Sequence, residues 1–140
     1  MYLRPDSNLL GEATETFDIP EHLQHFLING YSPSLIKSKG LSLLTQHYEH
    51  PELDIYVHHI HAAKQLRLFA KAASNRLILG YLMEGSTNSC FYDASLVALS
   101  SPVMLFFKAL VGKEVHLEFE AGKHKMVCCC LKLPMEKFIV

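Results

Sequence analysis

The residues best able to do chemistry cluster in Val57-His58-His59-Ile60-His61. Alternate side chains of an extended strand share a face, so His59 and His61 could offer two imidazoles to one metal ion. His116 or His124 would then supply a third ligand from a later strand, with Glu118 on the His116 face. A strand histidine is more often a surface group or a hydrogen-bonded core residue, so no metal site is favoured and no cofactor is expected. The run Cys128-Cys129-Cys130 puts only Cys128 and Cys130 on one side and lacks zinc-knuckle spacing. It reads as small buried hydrophobes in a late strand, with a redox or metal role as the lesser reading. Ser86, Ser89 and Cys90 lie near Tyr92 and Asp93, which is ordinary turn composition. With no Gly-x-Ser-x-Gly elbow, Gly-rich phosphate loop or His-Glu-x-x-His pair, no catalytic residue is assigned. Glu114, Glu118 and Glu120 share one strand face, read as a solvated outer surface.

These groups sit on short apolar runs separated by turn signals, which is the pattern of a mainly β chain. The runs are Leu41 to Tyr48, Leu53 to His61, Gln65 to Lys71, Arg76 to Met83, Ser89 to Tyr92, Ser95 to Leu99, Val103 to Leu110, Val115 to Glu120 and His124 to Leu133. Leu53, Ile55 and Val57 share one face, and Val115, Leu117 and Phe119 alternate with charged or polar residues, as half-buried strands require. Residues 1–17 read as irregular, because Pro5, Asp6, Ser7, Asn8 and Gly11 interrupt any period. Asp18, Pro20 and Glu21 make a capping-box start for a short helix over Glu21 to Ile28, with a strand as the competing reading. So many strands hide their edges most economically by closing into a sandwich or jelly-roll barrel. A barrel of this size can enclose one small molecule, and Tyr56, His58, Tyr81, Tyr92 and Phe107 are the amphipathic or aromatic candidates for its pocket, each equally readable as plain core.

Composition narrows the function classes. The 140 residues are 49% hydrophobic and 19% charged, enough for one well-buried core in one domain over 1–140. A net charge of −1 supplies no broad cationic field for a phosphate backbone, and nothing reads as a recognition helix. No apolar window reaches the length of a membrane span, the amino terminus does not read as a signal peptide, and the cysteines do not form a spaced disulfide framework. The expected location is the cytoplasm. The ending Phe138-Ile139-Val140 reads as the cut end of a longer chain, with a short strand tail as the alternative.

The stretch from Leu41 to Val140 resembles the amino-terminal regulatory domain of AraC-type transcription regulators, particularly the divergent ones of Bacteroidetes, and the likeness is carried by LDIYVHHIHAAKQLRLFAKAASNRLILGYLMEGS, Leu53 to Ser86. The likeness continues through Val115 to His124, where a strand and an acidic residue lead to a Gly122-Lys123 turn. The resemblance implies a cupin-like double-stranded β-helix with one or two short helices, which senses a small effector or mediates homodimerisation. DNA would be contacted through a carboxy-terminal helix-turn-helix segment not present here, and no enzyme activity is expected. The alternative is a stand-alone cupin metalloenzyme using His59 and His61. That family's first motif places a glycine where this chain has Leu53, and a carboxylate where it has Lys64, Gln65 and Leu66.

Overall fold

The computed structural model describes residues 2–5, 13–91 and 97–132. Twelve strands appear among them, with one 3-10 helix over Glu21–Phe26. In chain order they are β1 (Arg4–Pro5), β2 (Thr14–Thr16), β3 (Ser32–Ser38), β4 (Leu41–Glu49), β5 (Leu53–Ala62), β6 (Leu66–Lys71), β7 (Arg76–Glu84), β8 (Ser86–Phe91), β9 (Val97–Ser100), β10 (Val103–Ala109), β11 (Glu114–Phe119) and β12 (Gly122–Leu131). They form a five-stranded sheet in the order β1-β6-β11-β8-β9 and a seven-stranded sheet in the order β10-β7-β12-β5-β4-β3-β2. Neighbouring strands pair antiparallel throughout.

The inner faces of the two sheets supply the core, which falls into two buried clusters bridged by Phe107 and Met126. Leu43 and Ile60 of the larger sheet pack with Leu68, Leu117 and Phe119 of the smaller, all essentially inaccessible. On β11 the period of two does what the sequence requires: Val115, Leu117 and Phe119 are buried while Glu114, His116 and Glu118 lie outward. On β5 the period is obscured. Tyr56, His58, Ile60 and Ala62 face the interior, as their register against the buried Leu41, Leu43 and Thr45 of β4 fixes. The opposite face, carrying Ile55, Val57 and His59, is roofed by the segment around the 3-10 helix, where the Phe26 ring lies 4.4 Å from that of His59. Gln46, on the roofed face of β4, is fully buried. Its Oε1 accepts the Ile28 N–H at 2.7 Å and its Nε2 donates to the Phe26 carbonyl at 2.9 Å.

All nine expected runs are strands in the described residues, and the parts of them at 92–96 and 133 lie outside those residues. Three expectations need correction. Residues 1–17 are not wholly irregular, since β1 and β2 each pair with a longer strand that satisfies their backbone. The helix of Glu21 to Ile28 is a 3-10 helix ending at Phe26, and neither an Asp18 capping box nor a strand forms. Pro20 is the N-cap and carries no side-chain cap, and the helix buries no residue that would lengthen it. β3 was not anticipated, because Ser32-Pro33-Ser34 and Lys37-Ser38 read as turn composition around only two aliphatic residues.

Candidate functional site

The inner face of β5 grades from apolar to polar along its length. Ala62 and Ile60 belong to the leucine-rich core, His58 and Tyr56 follow, and Asp54 stands at the other end. There the barrel holds a cavity of about 410 Å3, lined by Tyr2, Arg4, Asp54, Tyr56, Arg76 and Lys132 among others. Small residues from both sheets and the β6–β7 turn, Ala70, Ala72, Ala73, Ser74 and Ala109, make up much of the lining and leave the space open.

Polar groups at this end form a connected chain. His47 Nε2 lies 2.9 Å from Asp54 Oδ1 and His47 Nδ1 lies 3.1 Å from the Tyr2 hydroxyl. The neutral tautomer that satisfies both bonds donates Nε2–H to the carboxylate and accepts the Tyr2 O–H at Nδ1. Lys132 Nζ continues the chain, 3.4 Å from Asp54 Oδ1 and 3.4 Å from Glu49 Oε1. The His47 and Tyr56 rings stack at 4.4 Å with 6° between their planes, and Tyr2 meets Tyr56 edge-on at 5.0 Å. Burial, aided by the Asp54 charge, holds the Tyr56 phenol protonated well above its usual range, and burial raises the Tyr2 phenol as well. Both act as O–H groups near neutral pH.

The five residues singled out for a pocket are spread through the barrel. Tyr56 lines the cavity. His58 is fully buried one step deeper, its Nδ1 3.0 Å from Thr45 Oγ1 and its ring parallel to Tyr56 at 6.2 Å. Phe107 packs between two core clusters and lines a separate apolar cavity of about 50 Å3. Tyr81 borders that same small cavity from β7, and Tyr92 lies outside the described residues. Tyr2, Arg4, His47, Asp54, Arg76 and Lys132 escaped sequence reasoning. Counting by twos from Leu41 and Leu43 would have placed His47 on the inner face, whereas nothing local marks Arg76 or Lys132.

His59 and His61 do not enter the barrel. They lie on the roofed face of β5 and border an outer groove of about 450 Å3 with His22, His25, Phe26 and Glu84. Burial lowers the His59 pKa, with Lys125 adding to the effect and Glu84 opposing it. Among the described residues no three His, Cys, Asp or Glu side chains converge as a metal would require. The inner face of β5 offers His58 as its lone imidazole, so the described residues do not fit the cupin metal cage. Cys128 and Cys130 are buried on the inner face of β12, as their spacing requires, and burial pushes the Cys128 thiol up to about 11. Such a thiol is a packing group rather than a nucleophile. No helix in the described residues is long and apolar enough to cross a membrane.

No family model matches the sequence, and no curated protein matches it. Solved structures do resemble the fold. A "predicted oxalate decarboxylase" from Thermotoga maritima aligns with a TM-score of 0.56 at 10% identity, over 76% of this chain and 99% of that one. Ectoine synthase from P. lautus aligns with a TM-score of 0.51 at 15% identity, over 81% of this chain and 78% of that one. The Cnp3 cupin domain of Schizosaccharomyces pombe aligns with a TM-score of 0.51 at 11% identity, over 76% and 83%. At such identities the likeness speaks for architecture alone, and by that architecture the chain is a cupin-fold β-barrel.

Proposed function

We propose that this chain is a sensing domain that holds a small molecule at the Asp54 end of the barrel and does not transform it. The observation that carries the reading is the 410 Å3 cavity, which is of ordinary ligand-site size and combines an aromatic wall with a few fixed polar groups. The cupin metal cage that would supply chemistry is incomplete among the described residues, since Lys64, Gln65 and Leu66 stand where its carboxylate is expected and the His59 and His61 pair lines the outer groove. The setting we infer is a homodimeric AraC-type transcription regulator whose DNA contacts lie in a separate helix-turn-helix segment. The resemblance of Leu53 to Ser86 and of Val115 to His124 supports that setting.

The reading is tested by equilibrium dialysis of the purified chain against a metabolite panel, with mass spectrometry of whatever is retained. Recovery of an unchanged compound is the expected result; a retained compound converted with turnover sinks the non-enzymatic reading. Light scattering tests the dimer, which a monomer at high concentration would exclude. A second reading is favoured by the Tyr2–His47–Asp54 chain, in which a carboxylate orients an imidazole that accepts from a phenol. That arrangement can move a proton, and the mass spectrum that reveals a product would select this acid–base enzyme instead.

A further inference from the structure

We propose that the molecule held at this end of the barrel is an organic carboxylate with an apolar body. The proposal rests on the sensing reading above and adds the ligand's charge. β12 and β7 run antiparallel with Cys130 opposite Ile78. Arg76, at the start of β7, and Lys132, just beyond the end of β12, both line the cavity at this end. Two cations lining one cavity make it attractive to an anion wherever the protein's own carboxylates do not already balance them.

The compensation present is uneven. Lys132 reaches both Asp54 and Glu49 at 3.4 Å. Arg4, reaching the cavity from β1 of the smaller sheet, pairs with Glu15 at 3.1 Å. Arg76 donates from Nη1 to the Asn75 carbonyl at 3.1 Å, and among the described residues no carboxylate stands in ion-pair range of it. A guanidinium held by one nitrogen still presents other N–H groups as a planar fork, which fits the two oxygens of a carboxylate. Beside Arg76 in the ladder stands Ala109, and Ala72 also lines the cavity, so short side chains leave room before the fork. Ile78 and the Tyr56 ring give the carbon body of the ligand an apolar surface.

The test titrates the full chain with phenylacetate, its uncharged isostere phenylacetamide, succinate, and a panel of neutral small molecules. Binding is read by thermal shift and by the Arg76 Nε–Hε resonance. Phenylacetate or succinate is expected to raise Tm and move that resonance, with the amide weaker by about tenfold or more, as loss of a charge-assisted hydrogen bond implies. Arg76→Gln should abolish the preference for the acid and Arg76→Lys should keep part of it, with ligand-free Tm reporting that each variant is folded. If acid and amide bind equally and move the same resonance, the carboxylate proposal fails and the sensing site stands. The same holds if only neutral molecules bind there. If no compound moves the Arg76 resonance, both readings fall.

Discussion

Gly85 carries the chain from the larger sheet to the smaller with a φ of 91°. A Cβ there would lie 2.1 Å from His124 Nδ1, the atom that accepts the Ser86 N–H at 3.1 Å, while His124 Nε2 bonds the Glu120 carbonyl at 2.9 Å. Gly85→Ala therefore combines backbone strain with loss of a part-buried bond, and should cost about 3 kcal/mol in denaturant unfolding. Gly30 is the control: its φ of 87° imposes similar strain but nothing stands within 4 Å of a Cβ, so Gly30→Ala should cost only about 1 kcal/mol. Equal losses would mean that His124 has no part in the effect. Ser89 makes the opposite case. It is fully buried beside the small apolar cavity, and its hydroxyl has no hydrogen-bond partner among the described residues. An unsatisfied buried hydroxyl is a standing cost, so Ser89→Ala should raise stability by about 1 kcal/mol in the same assay. A loss of stability would show that the hydroxyl is satisfied.

At the scale of elements, the roof over β5 and β4 is where sequence and structure part. The runs of β4 through β12 were legible because β-branched and aliphatic residues alternate between turn signals, and the buried inner face of β11 follows directly from that alternation. β5 was legible as a strand but not in its facing, since both of its sides are covered and both carry apolar residues. The candidate site suffered for the same reason. Tyr56 was named because it is aromatic, whereas its partners Tyr2, His47 and Lys132 come from three other places in the chain and meet only through the ladders. The roof itself gives a pH prediction. His59 contacts Phe26 from the 3-10 segment, pairs across to Leu44 on β4 and Lys125 on β12, and has Glu84 and His25 among its charged neighbours. Burial, then Lys125, depress its folded-state pKa below 6.5. The unfolded chain thus takes up this proton first on acidification. The stability contributed is complete above the unfolded value and is lost as pH falls through the folded one. Urea midpoints should decline on going from about pH 7.5 to pH 5, and His59→Gln should flatten that part of the slope. An unchanged slope in the variant would assign the decline to other histidines.

For the whole molecule, the tightly packed core and the polar cavity lie at opposite ends of one barrel. The Ala62 end is closed by Leu43, Ile60, Leu68 and Phe119, and Phe119 is completely inaccessible. Phe119→Ala should cost about 3 to 5 kcal/mol, because neighbours from both sheets cannot collapse into the space left. The Asp54 end trades packing for space, with alanines in its lining and two cations, Arg76 and Lys132, brought to the same cavity. Among the described residues Arg76 is held by a hydrogen bond to the adjacent Asn75 carbonyl, so removing its charge gives up little and relieves repulsion with Lys132 in the same cavity. Arg76→Gln should leave the ligand-free protein as stable as the parent, or more stable by about 0.5 kcal/mol, and any gain should shrink as salt screens the pair. Denaturant unfolding at low and high ionic strength measures both effects. A loss beyond about 1 kcal/mol would mean that Arg76 is part of the structural frame, since surface charge changes away from such a role seldom exceed half that value. Stability that survives the loss of Arg76 while the preference for a carboxylate does not would separate the two ends of the barrel, one holding the fold together and the other kept open at a small electrostatic cost.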